Sequence, residues 1–233
     1  MLIKICGVTS EADAMLAVGL GASAIGFVFA PSPRQVSPQA VERIVERLPR
    51  GEVLTVGVFR NEARSRVAEI VNGIGLGAAQ LHGDETPDDA RWVAERVPLV
   101  IKAFPAGDPG IRRIDAYGAG LVLVDAASPG SGEVFDWRLA EGVVDPNRLV
   151  VSGGLHAGNV ADAISFLRPY GVDVSSGVES APGVKDPRKV RAFVVAARRA
   201  AAAIGAGPEG GAEDPDAEPA DGSAGFFDWQ EEG

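Results

Sequence analysis

The sequence lacks the features that several classes of protein require. Cys6 is its one cysteine, so no disulfide can form within the chain, and we expect a reducing, cytoplasmic environment. It contains no run of about 18 apolar residues, which argues against a membrane span. The first residues show neither a basic segment nor an apolar signal core, so we expect no secretory signal.

Patterns for binding metal ions or nucleic acids are absent as well. The sequence has two histidines, and no group of His, Cys and carboxylate residues shows metal-ligand spacing. We therefore predict no metal ion, and the lack of a long apolar run predicts no membrane partner. Of the net charge of −10, residues 205–233 contribute −9, because they carry nine acidic and no basic residues. Because the rest of the chain is nearly neutral, we predict no nucleic-acid partner.

Composition divides the chain into two parts. Residues 1–204 are rich in apolar residues and predict one catalytic domain, whereas residues 205–233 consist mainly of Gly, Pro, Ala and acidic residues. Such a segment cannot bury enough apolar surface to fold, so we predict an acidic, disordered C-terminal tail. Its Phe226–Trp229 cluster could dock on a partner or on the domain, but loose aromatic residues at a frayed end are the simpler interpretation.

Eight short segments are apolar nearly throughout, which is typical of parallel strands that are covered on both faces. They are Leu2–Cys6, Ala24–Phe29, Val53–Phe59, Ala78–His82, Leu99–Phe104, Leu121–Asp125, Leu149–Ser152 and Val172–Ser175. Amphipathic stretches separate them, and three of these stretches begin with a capping residue and a proline, at Ser37-Pro38, Thr86-Pro87 and Asp186-Pro187.

This alternation of strands and helices predicts an α/β fold, a single (β/α)8 TIM barrel over residues 1–204. An open doubly wound sheet is the alternative, but the dinucleotide fingerprint that it often carries is missing after the first strand. In a barrel, the residues at the C-terminal ends of the strands face the active site, so candidate residues are sought there.

Two candidates end apolar strands. Cys6 ends the first strand and shares a face with Lys4, so it is either a reactive thiol in the barrel mouth or an inert buried one. Asp125 ends the sixth strand, where a carboxylate is costly unless it is hydrogen-bonded or functional. We favour a function for Asp125 over capping of the next loop.

Glycines follow the seventh and eighth strands, in Ser152-Gly153-Gly154 and Ser175-Ser176-Gly177. Barrels often bind phosphate with these two loops, because glycine lets backbone N–H groups approach an anion. Both loops together predict a phosphorylated small-molecule substrate. Arg34, in the loop after the second strand, could grip a carboxylate with two parallel hydrogen bonds, although a solvated loop arginine is the more common case.

Two further polar residues share these strand ends. His82 ends the fourth strand and is at least as well explained by a structural role, so we do not assign it as the base. Asp173 points the same way as Ser175 and could contact the substrate or pair with a cation in the barrel, either Lys4 or Lys102.

Taken together, these motifs are similar to those of one family, the phosphoribosylanthranilate isomerases. In family order they are Lys4–Thr9, Gly26–Phe29, Ser32–Arg34, Val56–Phe59, Gln80–Gly83, Asp125, Gly130–Gly132, Phe135–Trp137, Ser152–Leu155, Asp173–Glu179, and Pro182-Gly183 with Lys185. The resemblance does not extend to the tail.

The resemblance implies the Amadori rearrangement of N-(5-phosphoribosyl)anthranilate to 1-(2-carboxyphenylamino)-1-deoxyribulose 5-phosphate, a step of tryptophan biosynthesis. It implies that Cys6 is the general base and Asp125 the general acid. It also implies that Arg34 binds the anthranilate carboxylate, that Asp173 lies in the substrate pocket, and that the phosphate loops are Gly153-Gly154 and Ser176-Gly177. No cofactor is required, because the hydrogen moves within one molecule. The family includes monomers and dimers, so we expect a monomer or a homodimer.

Two other hypotheses stay open from the sequence. Another phosphate-binding barrel, such as the histidine-pathway sugar isomerase or indole-glycerol-phosphate synthase, would share the phosphate loops. The first typically has an aspartate where this chain has Cys6, and the lysine and glutamate motifs of the second are not found. A non-catalytic scaffold acting through the acidic tail would not need both Cys6 and Asp125.

Overall fold

A computed structural model of the protein describes residues 1–49, 51–126 and 136–205. Eight parallel strands form a closed barrel, in which each strand is hydrogen-bonded to the next and β8 returns to β1. The strands are β1 (Leu2–Cys6), β2 (Ala24–Val28), β3 (Leu54–Phe59), β4 (Ala78–Leu81), β5 (Val100–Pro105), β6 (Leu121–Asp125), β7 (Leu149–Val151) and β8 (Gly171–Val174). This closure confirms the predicted α/β barrel and excludes the open sheet.

Helices on the outside connect most of the strands. Among the described residues these are α1 (Glu11–Gly19), α2 (Pro38–Val45), α3 (Arg64–Ile74), α4 (Pro87–Ala94), α5 (Val160–Leu167) and α6 (Pro187–Gly205). None of the helices in the described ranges combines the length and the apolar character that crossing a membrane would need. The side chains of Ser37 and Thr86 accept backbone N–H groups of α2 and α4, so these two predicted helix starts are confirmed.

Two connections depart from the predicted alternation. After β5 the chain forms a 3-10 segment, Pro109–Tyr117, that is interrupted at Arg113. Gly110 follows Pro109 in the first turn of this segment, and Gly118 ends the segment in the left-handed conformation with a φ of 65°. Because glycine disfavours a helix, a regular α-helix does not form here. In the described part of the β6–β7 connection, the helical turns are the short 3-10 pieces Trp137–Leu139 and Pro146–Arg148.

The buried apolar residues form two clusters, one on each side of the barrel wall. The larger cluster lies between the strands and the helices and includes Ile3, Ile5, Phe27, Val122 and Val124. The smaller one fills the barrel interior with alternate residues of the same strands, among them Val56, Ile101, Leu121, Leu123 and Val150. The alternation therefore points Lys4 and Cys6 of β1 into the barrel interior. On β6 it points Leu123 and Asp125 into the interior, with Asp125 at the C-terminal end of the strand.

A short antiparallel hairpin, absent from the predicted elements, lies between β8 and α6. Its strands are β9 (Glu179–Ala181) and β10 (Val184–Lys185), and they are joined through Pro182-Gly183. Gly183 has a φ of +81°, which favours glycine at this turn. The predicted tail at 205–233 lies outside the described residues, apart from Gly205 at the end of α6.

Candidate active site

A cavity of about 290 Å³ opens at the C-terminal ends of the strands. Seven of the eight residues predicted for the site line it, namely Cys6, Arg34, Asp125, Gly153, Gly154, Asp173 and Ser176. The eighth, Gly177, lies behind this wall, against the backbone of Leu155. The cavity therefore gathers residues from β1, β6, β7 and β8 and from the loop after β2, which are distant from one another in the chain.

Cys6 lies at the end of β1 and is buried, with Gly26 of β2 directly opposite. A Cβ atom at Gly26 would come within 2.8 Å of Cys6 Sγ and 3.1 Å of Lys4 Nζ, so glycine leaves the room that these two side chains occupy. Burial raises the pKa of the Cys6 thiol, while the neighbouring Lys4 ammonium acts in the opposite direction. The thiolate that a general base requires thus has a cation beside it.

Lys4 is fully buried and donates to Asp173 across the β1–β8 pair, with 2.9 Å between Nζ and Oδ1. Burial by itself would lower the pKa of Lys4, but the charges of Asp173 and Cys6 outweigh it and raise that pKa. Lys4 therefore remains a cation. Of the two partners considered for Asp173, Lys4 is the one found, since Lys102 instead donates to Glu85 and to backbone carbonyls.

Asp125 is buried at the end of β6, and its Oδ1 accepts the N–H of Ala126 at 2.8 Å. His82 Nε2 lies 3.4 Å from Asp125 Oδ2, but it has no hydrogen-bond partner among the described residues. The two side chains are therefore in close contact without a formed hydrogen bond. On its other side, His82 Nδ1 lies 2.9 Å from Gln80 Nε2, which holds the ring against the cavity wall.

The loops after β7 and β8 approach each other closely, and glycine makes this possible. Gly153 and Gly154 have φ values of +80° and +63°. A Cβ atom at Gly153 would come within 2.9 Å of Asp125 Oδ1, and one at Gly177 would collide with the carbonyl oxygen of Leu155. The two loops thus form one compact wall of the cavity beside the Asp125 carboxylate, where backbone N–H groups can receive an anion.

Arg34 reaches the cavity from the loop after β2, and its stem passes over Gly7. A Cβ atom at Gly7 would lie 2.5 Å from Arg34 Cδ, and the φ of Gly7 is +70°. Arg34 donates from Nε and Nη2 to the two carboxylate oxygens of Glu179, at 2.8 and 2.7 Å. Glu179 also accepts from Lys185 Nζ at 2.8 Å.

Sequence reasoning assigned no role to Glu179 or Lys185, although both lie in motifs that it had singled out. The one available signal was the Pro182-Gly183 turn between them, which could have indicated a hairpin that brings the two charges together.

The site as a whole brings together a thiol, a carboxyl group, glycine loops and a guanidinium. A thiol with a neighbouring cation lines the cavity from β1, and a carboxyl group lines the same cavity from β6. The glycine loops after β7 and β8 and the Arg34 side chain line it as well. Such an arrangement can move a proton off one carbon and onto a neighbouring oxygen of a substrate that is held by a phosphate and a carboxylate.

Comparison with known proteins agrees with this chemistry. The family model of N-(5′-phosphoribosyl)anthranilate (PRA) isomerase matches residues 3–196. A relative from Desulforudis audaxviator, named N-(5′-phosphoribosyl)anthranilate isomerase, is 47% identical over 206 residues, covering 85% of this chain and 98% of its own.

Solved structures of the same name are similar over the same part of the chain. The phosphoribosyl anthranilate isomerase of Thermus thermophilus is 40% identical with a TM-score of 0.79, covering 85% of this chain and 99% of that one. A second such isomerase, in complex with reduced 1-(o-carboxyphenylamino)-1-deoxyribulose 5-phosphate, is 40% identical with a TM-score of 0.75, covering 85% and 100%.

Proposed function

Since the chain belongs to the N-(5′-phosphoribosyl)anthranilate isomerase family, we propose that Cys6 is its general base and Asp125 its general acid. The enzyme catalyses the Amadori rearrangement of phosphoribosylanthranilate to 1-(2-carboxyphenylamino)-1-deoxyribulose 5-phosphate in tryptophan biosynthesis. The observation that carries the two assignments is that both side chains line a single cavity, beside the glycine loops of β7 and β8.

Ring opening is the first step, and it requires a proton donor at the ring oxygen of the ribose. Protonated Asp125 donates to that oxygen as its bond to C1′ breaks, and the nitrogen lone pair forms a protonated imine with C1′. The resulting carboxylate keeps the N–H of Ala126 as a hydrogen-bond donor at 2.8 Å. This contact is to Oδ1, so Oδ2 is the oxygen available to carry the proton to the substrate.

Proton removal from C2′ is the second step, and the adjacent iminium makes that proton acidic. The Cys6 thiolate accepts it, and the electron pair of the C–H bond forms an enolamine. The enolamine gains a proton at C1′ and loses one from O2′ to give the ketone, and exchange with water restores the thiolate and the carboxyl. The Lys4 ammonium supports this step because it stabilises the thiolate inside a buried site.

Binding at the two ends of the substrate would fix C1′ and C2′ between the acid and the base. We assign the phosphate to Gly153, Gly154, Ser176 and Gly177, whose loops form one wall of the cavity. We assign the anthranilate carboxylate to Arg34, which also lines the cavity. Asp173 also lines the cavity, and Lys4 binds its Oδ1. Its Oδ2 lies 3.5 Å from Ser152 Oγ and can also accept a hydrogen bond from a substrate hydroxyl.

The direct test of the reaction is to add phosphoribosylanthranilate to the purified protein and to follow the loss of anthranilate fluorescence. We expect the signal to fall and the product to be the carboxyphenylamino ribulose phosphate. Absence of turnover would favour the scaffold hypothesis. Turnover only of the substrate of the histidine-pathway sugar isomerase would favour that alternative.

Arg34→Ala is expected to raise KM by roughly 10- to 100-fold, because charge-assisted hydrogen bonds to a carboxylate are lost. The change in kcat should be smaller, since Arg34 is not a proton carrier. Steady-state kinetics check this, with Arg43→Ala on the exposed side of α2 as the matched control. A KM equal to that of the control would place Arg34 outside the substrate pocket.

Gly177→Ala is expected to raise KM by a similar factor, roughly 10- to 100-fold, because the new methyl group collides with the Leu155 carbonyl and separates the two phosphate loops. Gly73→Ala on α3 is the control, since a Cβ atom there meets nothing within 4 Å. The inhibition constant of inorganic phosphate should rise in parallel with KM. If phosphate inhibits Gly177→Ala and the wild type equally, the phosphate lies elsewhere.

Two properties accompany the proposed function. The single cysteine and the biosynthetic reaction support a cytoplasmic enzyme. The enzyme is a monomer or a homodimer, as the sequence resemblance implies, and a sedimentation measurement of the purified protein distinguishes the two.

A further inference from the structure

Glu179 is a buried carboxylate outside the cavity, and the proposed mechanism does not use it. It receives two hydrogen bonds from Arg34, at 2.8 and 2.7 Å, although the two residues are 145 positions apart in the chain. It is 7% exposed and does not line the cavity, whereas Arg34 does. The carboxylate therefore contacts the guanidinium from outside the residues that line the cavity.

Lys185 fixes Glu179 in turn. Its ammonium is fully buried and donates to Glu179 Oε1 at 2.8 Å and to the carbonyl of Ser175 at 3.2 Å. Burial alone would raise the pKa of Glu179, but Arg34 and Lys185 outweigh it and lower that pKa. Glu179 is thus a carboxylate with a defined orientation, which is what a partner for a planar guanidinium needs.

The hairpin that carries these charges is tied to the loop of Arg34. Thr9 Oγ1 donates to the carbonyl of Gly183 at 2.7 Å, and a Cβ atom at Gly183 would lie 3.1 Å from the carbonyl oxygen of Pro33. The backbone N–H of Lys185 contacts Asp13 Oδ2 at 3.3 Å. The hairpin thus packs against the loops after β1 and β2, on the side of the barrel where Arg34 enters the cavity.

Buried ion pairs such as this one contribute little net stability, because the cost of desolvation offsets most of the attraction. An orienting role explains the arrangement better. A guanidinium has five N–H donors, and the contacts with Glu179 occupy the Nε donor and one Nη2 donor. The remaining edge of the guanidinium is formed by Nη1 and Nη2 and is held in the same plane. Within the described part of the chain no residue bonds to this edge, so it can bind the carboxylate of a ligand.

We propose that Glu179, held by Lys185, is a positioning residue that orients Arg34 to recognise the carboxylate of the anthranilate ring. It thereby makes the enzyme selective for aryl amines that carry this carboxyl group. The inference rests on the proposed contact between Arg34 and that carboxylate, and it adds that the contact depends on a residue that does not touch the substrate.

The test uses two ligands that differ only in the carboxyl group. They are reduced 1-(2-carboxyphenylamino)-1-deoxyribulose 5-phosphate and its counterpart with an unsubstituted phenyl ring. The ratio of their dissociation constants measures recognition of the carboxylate. We expect Glu179→Gln to reduce this preference by roughly tenfold and to leave the affinity for the phenyl ligand unchanged. Glu69→Gln, in an exposed ion pair on α3, is the matched control and should leave the ratio as in the wild type.

Arg34→Ala and Arg34→Lys separate this inference from the proposed function. A lysine at position 34 cannot bind Glu179 and present a second fork at the same time, so both variants should lose the preference for the carboxylate. If Arg34→Ala keeps the preference, the assignment of Arg34 itself is wrong. If Arg34→Ala loses it while Glu179→Gln or Arg34→Lys keeps it, Arg34 binds the carboxylate without help from Glu179 and the inference is overturned.

Discussion

Cys6→Ser is expected to lower kcat by roughly 10²–10⁴-fold, the range for loss of a positioned general base. Serine is close in size to cysteine, and the position opposite Gly26 has no room for a larger group, so the geometry of the site should be preserved. A serine hydroxyl beside Lys4 does not ionise near neutral pH, and the C2′ proton then has no acceptor. KM should change little, because neither proposed anion-binding end is altered.

The fold of the Cys6 variant must be shown to be intact for this result to be informative. The thermal unfolding midpoint and the dissociation constant of the reduced product analogue provide that control, and both should be close to the wild-type values. Cys6→Ala should be at least as inactive as Cys6→Ser. A Cys6→Ser enzyme with near wild-type kcat would mean that another group removes the proton.

The pH dependence offers an independent check of the same assignment. The thiolate is the active form of Cys6, but the reaction also needs protonated Asp125, so the wild-type profile of kcat/KM combines both ionisations. In Asp125→Asn, the residual kcat/KM should therefore rise with pH as Cys6 alone ionises. Because burial raises the pKa of this thiol, the rise should continue beyond the ordinary cysteine value of about 8.5. Residual activity that is flat over this range would contradict a thiol base.

The barrel could be predicted from the sequence because its strands are continuous apolar runs. Each observed strand begins and ends within one residue of a predicted segment, from Leu2–Cys6 to Gly171–Val174. The β5–β6 connection was predicted less well. There the proline and glycines near Pro109–Tyr117 determine a 3-10 segment, and a helix was expected from the alternation alone.

In the candidate site, local sequence patterns predict the positions of single residues but not the contacts between distant ones. The positions of Cys6 and Asp125 at strand ends follow from the local pattern, and barrel closure then places both at one mouth. The partners of Arg34 could not be found in this way. Glu179 reaches Arg34 because the β9–β10 hairpin packs against the loops after β1 and β2. The periodicity of apolar residues does not indicate this contact.

Asp125→Asn is expected to lower kcat by roughly 10²–10⁴-fold, because the amide cannot donate a proton to the ring oxygen and then carry the resulting negative charge. The amide oxygen of asparagine can still accept the N–H of Ala126, so the side chain should remain in place beside Gly153. Binding of the reduced product analogue, which needs no proton transfer, should be nearly unchanged. The kcat of the variant with phosphoribosylanthranilate is the measurement that checks this.

His82→Gln is the comparison that makes the Asp125 result specific, because His82 is a second titratable side chain beside Asp125 in the cavity. Its Nε2 lies 3.4 Å from Asp125 Oδ2, close enough for either group to be the acid in principle. If Asp125 is the acid, His82→Gln should retain much more activity than Asp125→Asn, since glutamine preserves a polar group at that wall. If the order is reversed, the proton comes from His82, and Asp125 serves to orient the imidazole.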